Sequence, residues 1–184
     1  MPRHFNLLDV SNTAVVVVDL QEAFAAAIPD FGTLANRAAT MVRGARELSL
    51  PIVITEQVPS KLGPTVDVVR AAVAPGQVVF DKTTFSSCGA SGFVQQLAGR
   101  KQVLVCGIEA HICVNQTAHD LLALGCQVHV LTDAVGSRAA RDREAGLSKM
   151  FHSGAVPSSV EMALFELLRD AKHECFRGFQ KLVK

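Results

Sequence analysis

Apolar positions along this chain fall into two alternating patterns. Short unbroken runs come first: Thr13–Val18 (TAVVVV), Pro51–Thr55 (PIVIT), Val78–Phe80, Val103–Cys106 and Val128–Leu131. They are rich in β-branched residues and apolar on both sides, as expected of strands buried in a parallel sheet. A sixth strand is expected near Ala155–Val156. Between the runs, apolar residues recur at helical spacing. Leu34, Ala38, Met41, Val42, Ala45 and Leu48 mark one helix, whose Arg37, Arg43 and Arg46 read as a solvated face. Val114, Ala118, Leu121 and Leu122 mark another, stopped by Gly125. Shorter helices are predicted over Thr65–Val73 and Ala90–Gly99. Ser137 can cap a helix over Ala139–Phe151, and Ser158–Glu161 (SSVE) has the form of a capping box. The helix it opens carries Val160, Ala163, Leu164, Leu167, Leu168 and Ala171. Alternating strands and helices predict an α/β fold with a mainly parallel sheet covered on both faces, three layers in all.

Composition narrows the function. A chain of 184 residues, 49% hydrophobic, predicts one domain over residues 1–184 with a full core. A net charge of +1 gives no footprint for nucleic acid or an anionic membrane. No signal peptide or membrane-length apolar run is seen, so a cytoplasmic setting is expected. Five cysteines without a C-x-x-C pair argue against a disulfide framework and a zinc cage. No G-x-G-x-x-G follows a strand, so no dinucleotide cofactor is expected. Trp and Tyr are absent, leaving Phe and His for any aromatic pocket wall.

The candidate chemistry lies at strand ends. Val103–Arg138 reads as strand, helix, strand, with Cys113 where the helix starts. The unpaired N–H groups there favour a thiolate, although a free cysteine also packs well as a small hydrophobe. Asp19 closes the first apolar run, where it can equally cap a turn. Lys82 leaves the third run in the same manner. In an open parallel sheet, residues after different strands converge at a switch point. An acid, an amine and a thiol can then share one crevice. Cys106 and Cys126 read as core. Cys88 and Cys175 carry no partner signal, and His111, His119 and His129 lack metal-ligand spacing.

These three residues and their surroundings resemble the isochorismatase-like cysteine hydrolase superfamily over nearly the whole chain. VVVVDLQEAF is similar to the family's first strand and catalytic acid, DKTTFSS to its lysine segment, and VCGIEAHICVNQTAHDLLALGCQVHVLTDAVGSR to its nucleophile segment. TEQVPSKLGPT and SSVEMALFELLRDAKHECF are most similar to the subgroup called isochorismatase-domain proteins. The resemblance implies a Rossmann-like six-stranded sheet, an Asp19–Lys82–Cys113 triad, a non-proline cis peptide at Ile108–Glu109, and usually oligomers. It also implies an oxyanion hole made by the backbone N–H groups of Glu109 and Cys113. TEQVPSKLGPT lacks the His and Asp of the family's metal-binding members, so no metal is predicted. Cys113 stands where vinyl-ether-cleaving members generally lack a cysteine.

The expected activity is thus thiol-based hydrolysis of a small-molecule amide, imide or related C–N bond. Gln21, Phe24, Gln57, Phe85 and Ile112 are candidate substrate contacts. A non-catalytic oligomeric binding protein on the same fold, or a vinyl-ether hydrolase, is the alternative. A nuclease role is disfavoured by the near-neutral charge. Phe176, Phe179 and Leu182 give the C-terminal tail an apolar side, which together with the family habit predicts a homo-oligomer, although the tail can equally fold back on its own subunit.

Overall fold

The run Thr13–Val18 becomes strand β1 at the centre of the sheet. The structure, a computed structural model, describes residues 4–184. Strands β1 (Thr13–Val18), β2 (Ile52–Gln57), β3 (Val79–Lys82), β4 (Gln102–Ile108), β5 (Gln127–Gly136) and β6 (Val156–Ser158) form one sheet in the order β3-β2-β1-β4-β5-β6. All neighbours pair in parallel. The four valines of β1 are fully buried, each worth about 1.5–3 kcal/mol relative to exposure.

Strand alternation sorts the core into two halves. Val15, Val17, Ile54 and Leu104 face one side. There they meet α1 (Phe31–Glu47), α7 (Val160–Leu168) and α8 (Phe176–Leu182). Val16, Val18, Val103 and Val130 face the other. That side is covered by α4 (Phe93–Gln96), α5 (Cys113–Ala123) and α6 (Ala140–His152). Two one-turn helices, α2 (Pro59–Leu62) and α3 (Asp67–Arg70), complete the connection from β2 to β3. Among the described residues no helix is long and apolar enough to cross a membrane.

Several local expectations change. The helix expected over Thr65–Val73 shrinks to α3, because Thr65 is held away from it: its hydroxyl donates to Glu56 Oε1 at 2.7 Å and it bridges to Gln21. The helix expected over Ala90–Gly99 is the single turn α4, ended by positive φ at Ala98 and Gly99. Ser159, not Ser158, caps α7, accepting from Met162 N at 3.3 Å, and Arg169 at φ 63° stops that helix before Ala171. Ser137 does not cap α6, since its hydroxyl lies 3.0 Å from His111 Nδ1. The arginine face of α1 is partly engaged: Arg37 pairs with Asp133 at 2.6 Å, and Arg46 donates to Ala72 O at 2.7 Å. Strand β5 runs past Leu131 to Gly136. Pro157, which donates nothing to a ladder, sits in the edge strand β6.

The tail also differs. Phe179 is fully buried among α1 and α7 residues, and Phe176 meets Phe165 edge-on with ring centroids 6.1 Å apart. Its apolar side is spent on its own subunit, so it offers no argument for an oligomer.

Candidate active site

The chain moves outward from β1 to β2 and β3, then returns to place β4 on the other side of β1. The carboxyl ends of β1 and β4 therefore flank the switch point, where a crevice opens in folds of this kind. Asp19 follows β1 directly, in a left-handed conformation at φ 52° that Asp tolerates. Next to it, Gly107 of β4 has φ 121°, and a Cβ there would lie 2.0 Å from Val18 O. Only glycine allows β1 and β4 to come this close beneath the crevice.

Asp19 is buried, and its backbone N–H donates to Thr55 O at 3.1 Å. Thr55 Oγ1 donates to Asp19 Oδ1 at 2.8 Å. Having used its only proton, it accepts from Ser87 Oγ at 3.1 Å. Ser87 N in turn donates to Thr117 Oγ1 of α5 at 2.9 Å. This hydroxyl chain ties the acid to β2, to the loop after β3 and to α5. Nothing in the sequence announces it, because single hydroxyls scattered over three segments carry no spacing signal.

Lys82 starts from the edge strand β3 and reaches Asp19 across the end of β2. Adjacent strands lie about 4.8 Å apart, so the side chain crosses two spacings. Gln57, paired with Lys82 in the ladder, supports the crossing. Lys82 Nζ donates to Gln57 Oε1 at 2.6 Å, Thr84 O at 3.1 Å and Phe85 O at 3.0 Å. Those three acceptors match the three ammonium protons. Asp19 Oδ2 lies 2.6 Å from the same nitrogen, so a fourth acceptor shares those protons.

The Cys113 thiol lies within reach of both Asp19 and Lys82. Cys113 is the first residue of α5 and is buried. The loop before it is fixed from several sides. Glu109 O accepts from Ile112 N at 3.0 Å and Val114 N at 3.2 Å, and the Ile108–Glu109 peptide is cis. Gly146 of α6 lets that helix rest on the loop, since a Cβ there would lie 2.7 Å from Ala110 O. The Glu109 carboxylate is held by Arg138, whose N and Nε donate to it at 2.9 and 3.1 Å. Among the described residues no protein acceptor meets the N–H of Glu109 or of Cys113.

Burial holds the Asp19 carboxyl above its ordinary range, although Lys82 and Thr55 pull it down. Burial first, and then the Asp19 charge, push the Cys113 thiol up to about 12, against the pull of Lys82. The helix start and the lysine led us to expect a thiolate. In the resting site desolvation and the adjacent carboxylate outweigh both, and the thiol keeps its proton.

A cavity of about 200 Å³ opens onto Asp19 and Cys113. Phe24, Gln57, Phe85 and Ile112 line it, as do Leu62, Ile108 and Glu109, none of whose side chains was singled out from sequence. Gln21 does not. It is fully buried behind the wall, with Nε2 donating to Gln57 O at 3.1 Å and Gly63 O at 2.7 Å, and Oε1 accepting from Gln57 N at 2.7 Å. Gln21 therefore positions Gln57 rather than contacting the cavity. Cys106 and Cys126 are buried, and Cys88 and Cys175 are half-buried. His129 lies buried in β5, and among the described residues no cluster of His, Cys, Asp or Glu is arranged to hold a metal ion.

Comparison with known proteins gives three findings. The family model for the isochorismatase domain matches residues 13–162. Isochorismatase domain-containing protein 2 of Bos taurus is 43% identical over 176 residues, covering 94% of this chain and 83% of that protein. Two solved structures share the fold. One, described as the MAR1 ribonuclease from Caenorhabditis elegans, has a TM-score of 0.93 at 38% identity and covers 96% of this chain and 92% of that one. The other is the YcaC gene product from Escherichia coli, described as an octameric hydrolase of unknown specificity. Its TM-score is 0.88 at 24% identity, with 98% of this chain and 91% of that one covered.

Proposed function

The chain belongs to the isochorismatase family, and on that premise we propose that it is a cysteine hydrolase of small amides, imides or related C–N bonds. One observation carries the reading: a thiol and a carboxylate face an open cavity, with an ammonium 2.6 Å from the carboxylate. A plugged site would have favoured a non-catalytic binding protein. The cavity volume of about 200 Å³ falls below the roughly 300–1,000 Å³ of pockets for drug-sized ligands, which suits a small substrate.

In this mechanism Asp19 takes the Cys113 proton as Sγ attacks the carbonyl carbon. Negative charge moves to the carbonyl oxygen, which the N–H groups of Glu109 and Cys113 stabilise, an effect worth roughly 2.7–4 kcal/mol per donor. Collapse breaks the C–N bond, and Asp19 returns the proton to the leaving nitrogen. A water then attacks the thioester and gives its proton to Asp19. The acid departs, and Asp19 restores the thiol. Lys82 keeps its charge throughout and holds the Asp19 carboxylate in place.

A screen of amides, imides and carbamoyl compounds for amine release tests the proposal, with intact-mass detection of the acyl-enzyme. Activity surviving in Cys113→Ala would sink it. A second reading, RNA cleavage, has the name of the Caenorhabditis elegans structure in its favour. The small cavity and the two carboxylates beside it, Asp19 and Glu109, weigh against a polyanion. RNA degradation lost in Cys113→Ala would favour it. We also propose a homo-oligomer, supported by the octameric relative. Sedimentation velocity at micromolar concentration checks this, and a monomer would refute it.

A further inference from the structure

The cavity wall has a polarity that narrows the substrate class. Phe24, Leu62, Phe85, Ile108 and Ile112 supply its apolar surface. Its charged groups are already matched. Asp19 is met by Thr55 and Lys82, and both oxygens of Glu109 accept from Arg138. Lys82 has no proton left over, since Gln57, Thr84 and Phe85 take all three. Gln57 spends its amide oxygen on Lys82 and one amide proton on Thr83 O at 2.9 Å. The donors that remain are the N–H groups of Glu109 and Cys113 and the second amide proton of Gln57. All three are neutral, and they suit one carbonyl and its leaving nitrogen.

From this accounting we infer that the part of the substrate beyond the scissile carbonyl is uncharged and apolar, a short branched alkyl group or a single ring. The inference rests on the reading of Cys113 as the nucleophile facing this cavity. A carboxylate on the substrate would lose its hydration, find no unpaired cation and face two carboxylates. An ammonium would lose its hydration to hydrocarbon walls and meet carboxylates that each already face a cation, Lys82 or Arg138. Phe85 lines the cavity and is 54% exposed, which leaves its ring available to an apolar group.

Maleimides test this, because one reactive imide can carry different charges at nearly constant size. Addition forms an Sγ–C bond at the expense of the ring C=C bond, and the thiol proton ends on the neighbouring carbon. N-ethylmaleimide, N-carboxymethylmaleimide and N-aminoethylmaleimide are compared on the full chain. Labelling of Cys113 is read by peptide mass spectrometry relative to the half-buried Cys175 in the same molecule. The ethyl compound should label Cys113 at least about tenfold faster than either charged one, given the cost of placing an unpaired charge there. Equal or faster labelling of Cys113 by a charged compound overturns the inference. In Leu62→Lys, a cation at the wall should raise the rate of the carboxymethyl compound relative to the ethyl one, and no change in that ratio also counts against the inference. If none of the three reaches Cys113 while Cys175 reacts, the assignment of the nucleophile itself fails, an outcome distinct from lost charge selectivity.

Discussion

Replacing Asp19 by Asn should make Cys113 more reactive towards simple alkylating agents while abolishing turnover. The side chain keeps its shape, and Thr55 can still donate to its oxygen. The charge that helps hold the thiol at about 12 is gone, whereas Lys82 remains beside the sulfur. A unit charge about 4 Å away at an effective dielectric near 20 is worth about 4 kcal/mol, or roughly three pKa units. The thiol should therefore fall to about 9, and its thiolate fraction at pH 8 should rise on the order of 10³-fold. A less basic thiolate is a poorer nucleophile, and a Brønsted slope near 0.45 returns about 20-fold of that gain. The net expectation is alkylation by iodoacetamide roughly 50-fold faster at Cys113, read residue by residue by mass spectrometry across pH 6–10. Turnover of any substrate found by screening should meanwhile drop by roughly 10²–10⁴, the usual loss with a general acid–base. The two readouts move in opposite directions, which separates proton transfer from mere damage to the site. Alkylation unchanged or slower in Asp19→Asn would show that the carboxylate does not hold the thiol protonated, and the proton route through Asp19 would fall.

Other substitutions probe the neighbouring parts. Lys82→Ala removes the charge that pulls the Cys113 thiol down, so alkylation should slow; it also strands a buried carboxylate, which should cost about 3–5 kcal/mol in a urea titration. A wild-type alkylation profile in Lys82→Ala would place the ammonium away from the sulfur. Gly107→Ala sets a methyl group against Val18 O at a φ unsuited to a side chain. It should cost about 3 kcal/mol or more, seen as a lowered Tm or insoluble protein, and an unchanged Tm would contradict the close approach of β1 and β4. His129, buried without a partner on Nε2, has its pKa lowered by burial from 6.5 to about 4. The unfolded chain then binds more protons between those values, so the contribution to stability is full above pH 6.5 and declines towards pH 4. About 3 kcal/mol should be lost across that window. His129→Leu should flatten this segment of the stability curve, and a slope as steep as wild type would place the titration elsewhere.

The sheet was legible because its strands are unbroken apolar runs, and parallel pairing demands such runs. The meeting of Asp19, Lys82 and Cys113 followed from the same logic, since each closes or follows a strand and such sheets gather their carboxyl ends at one crevice. Less was visible where a contact depends on register or on the far side of a loop. Nothing in the spacing of Gln57 and Lys82 announces that they face each other across the β2–β3 ladder, and nothing near Glu109 points to Arg138. The state of the thiol was misjudged for a related reason. A sequence displays the helix start that lowers a cysteine pKa but conceals the burial that raises it. The tail left two readings open because an apolar stripe looks the same whether a partner or its own α1 covers it.

Strand β3 lends the site an unequal stability. It is four residues long and pairs on one side only, with β2. Two of its residues, Val79 and Phe80, are only half-buried, and Asp81 is exposed. Short, exposed edge segments open locally at free energies below that of global unfolding. When β3 frays, Lys82 leaves with it, and Gln57 and Asp19 lose their shared cation while β1, β4 and α5 stay folded. Warming or mild denaturant would then dismantle the charge balance around Cys113 before it disturbs the sheet, so the least secured strand rather than the core sets how long these three groups stay together.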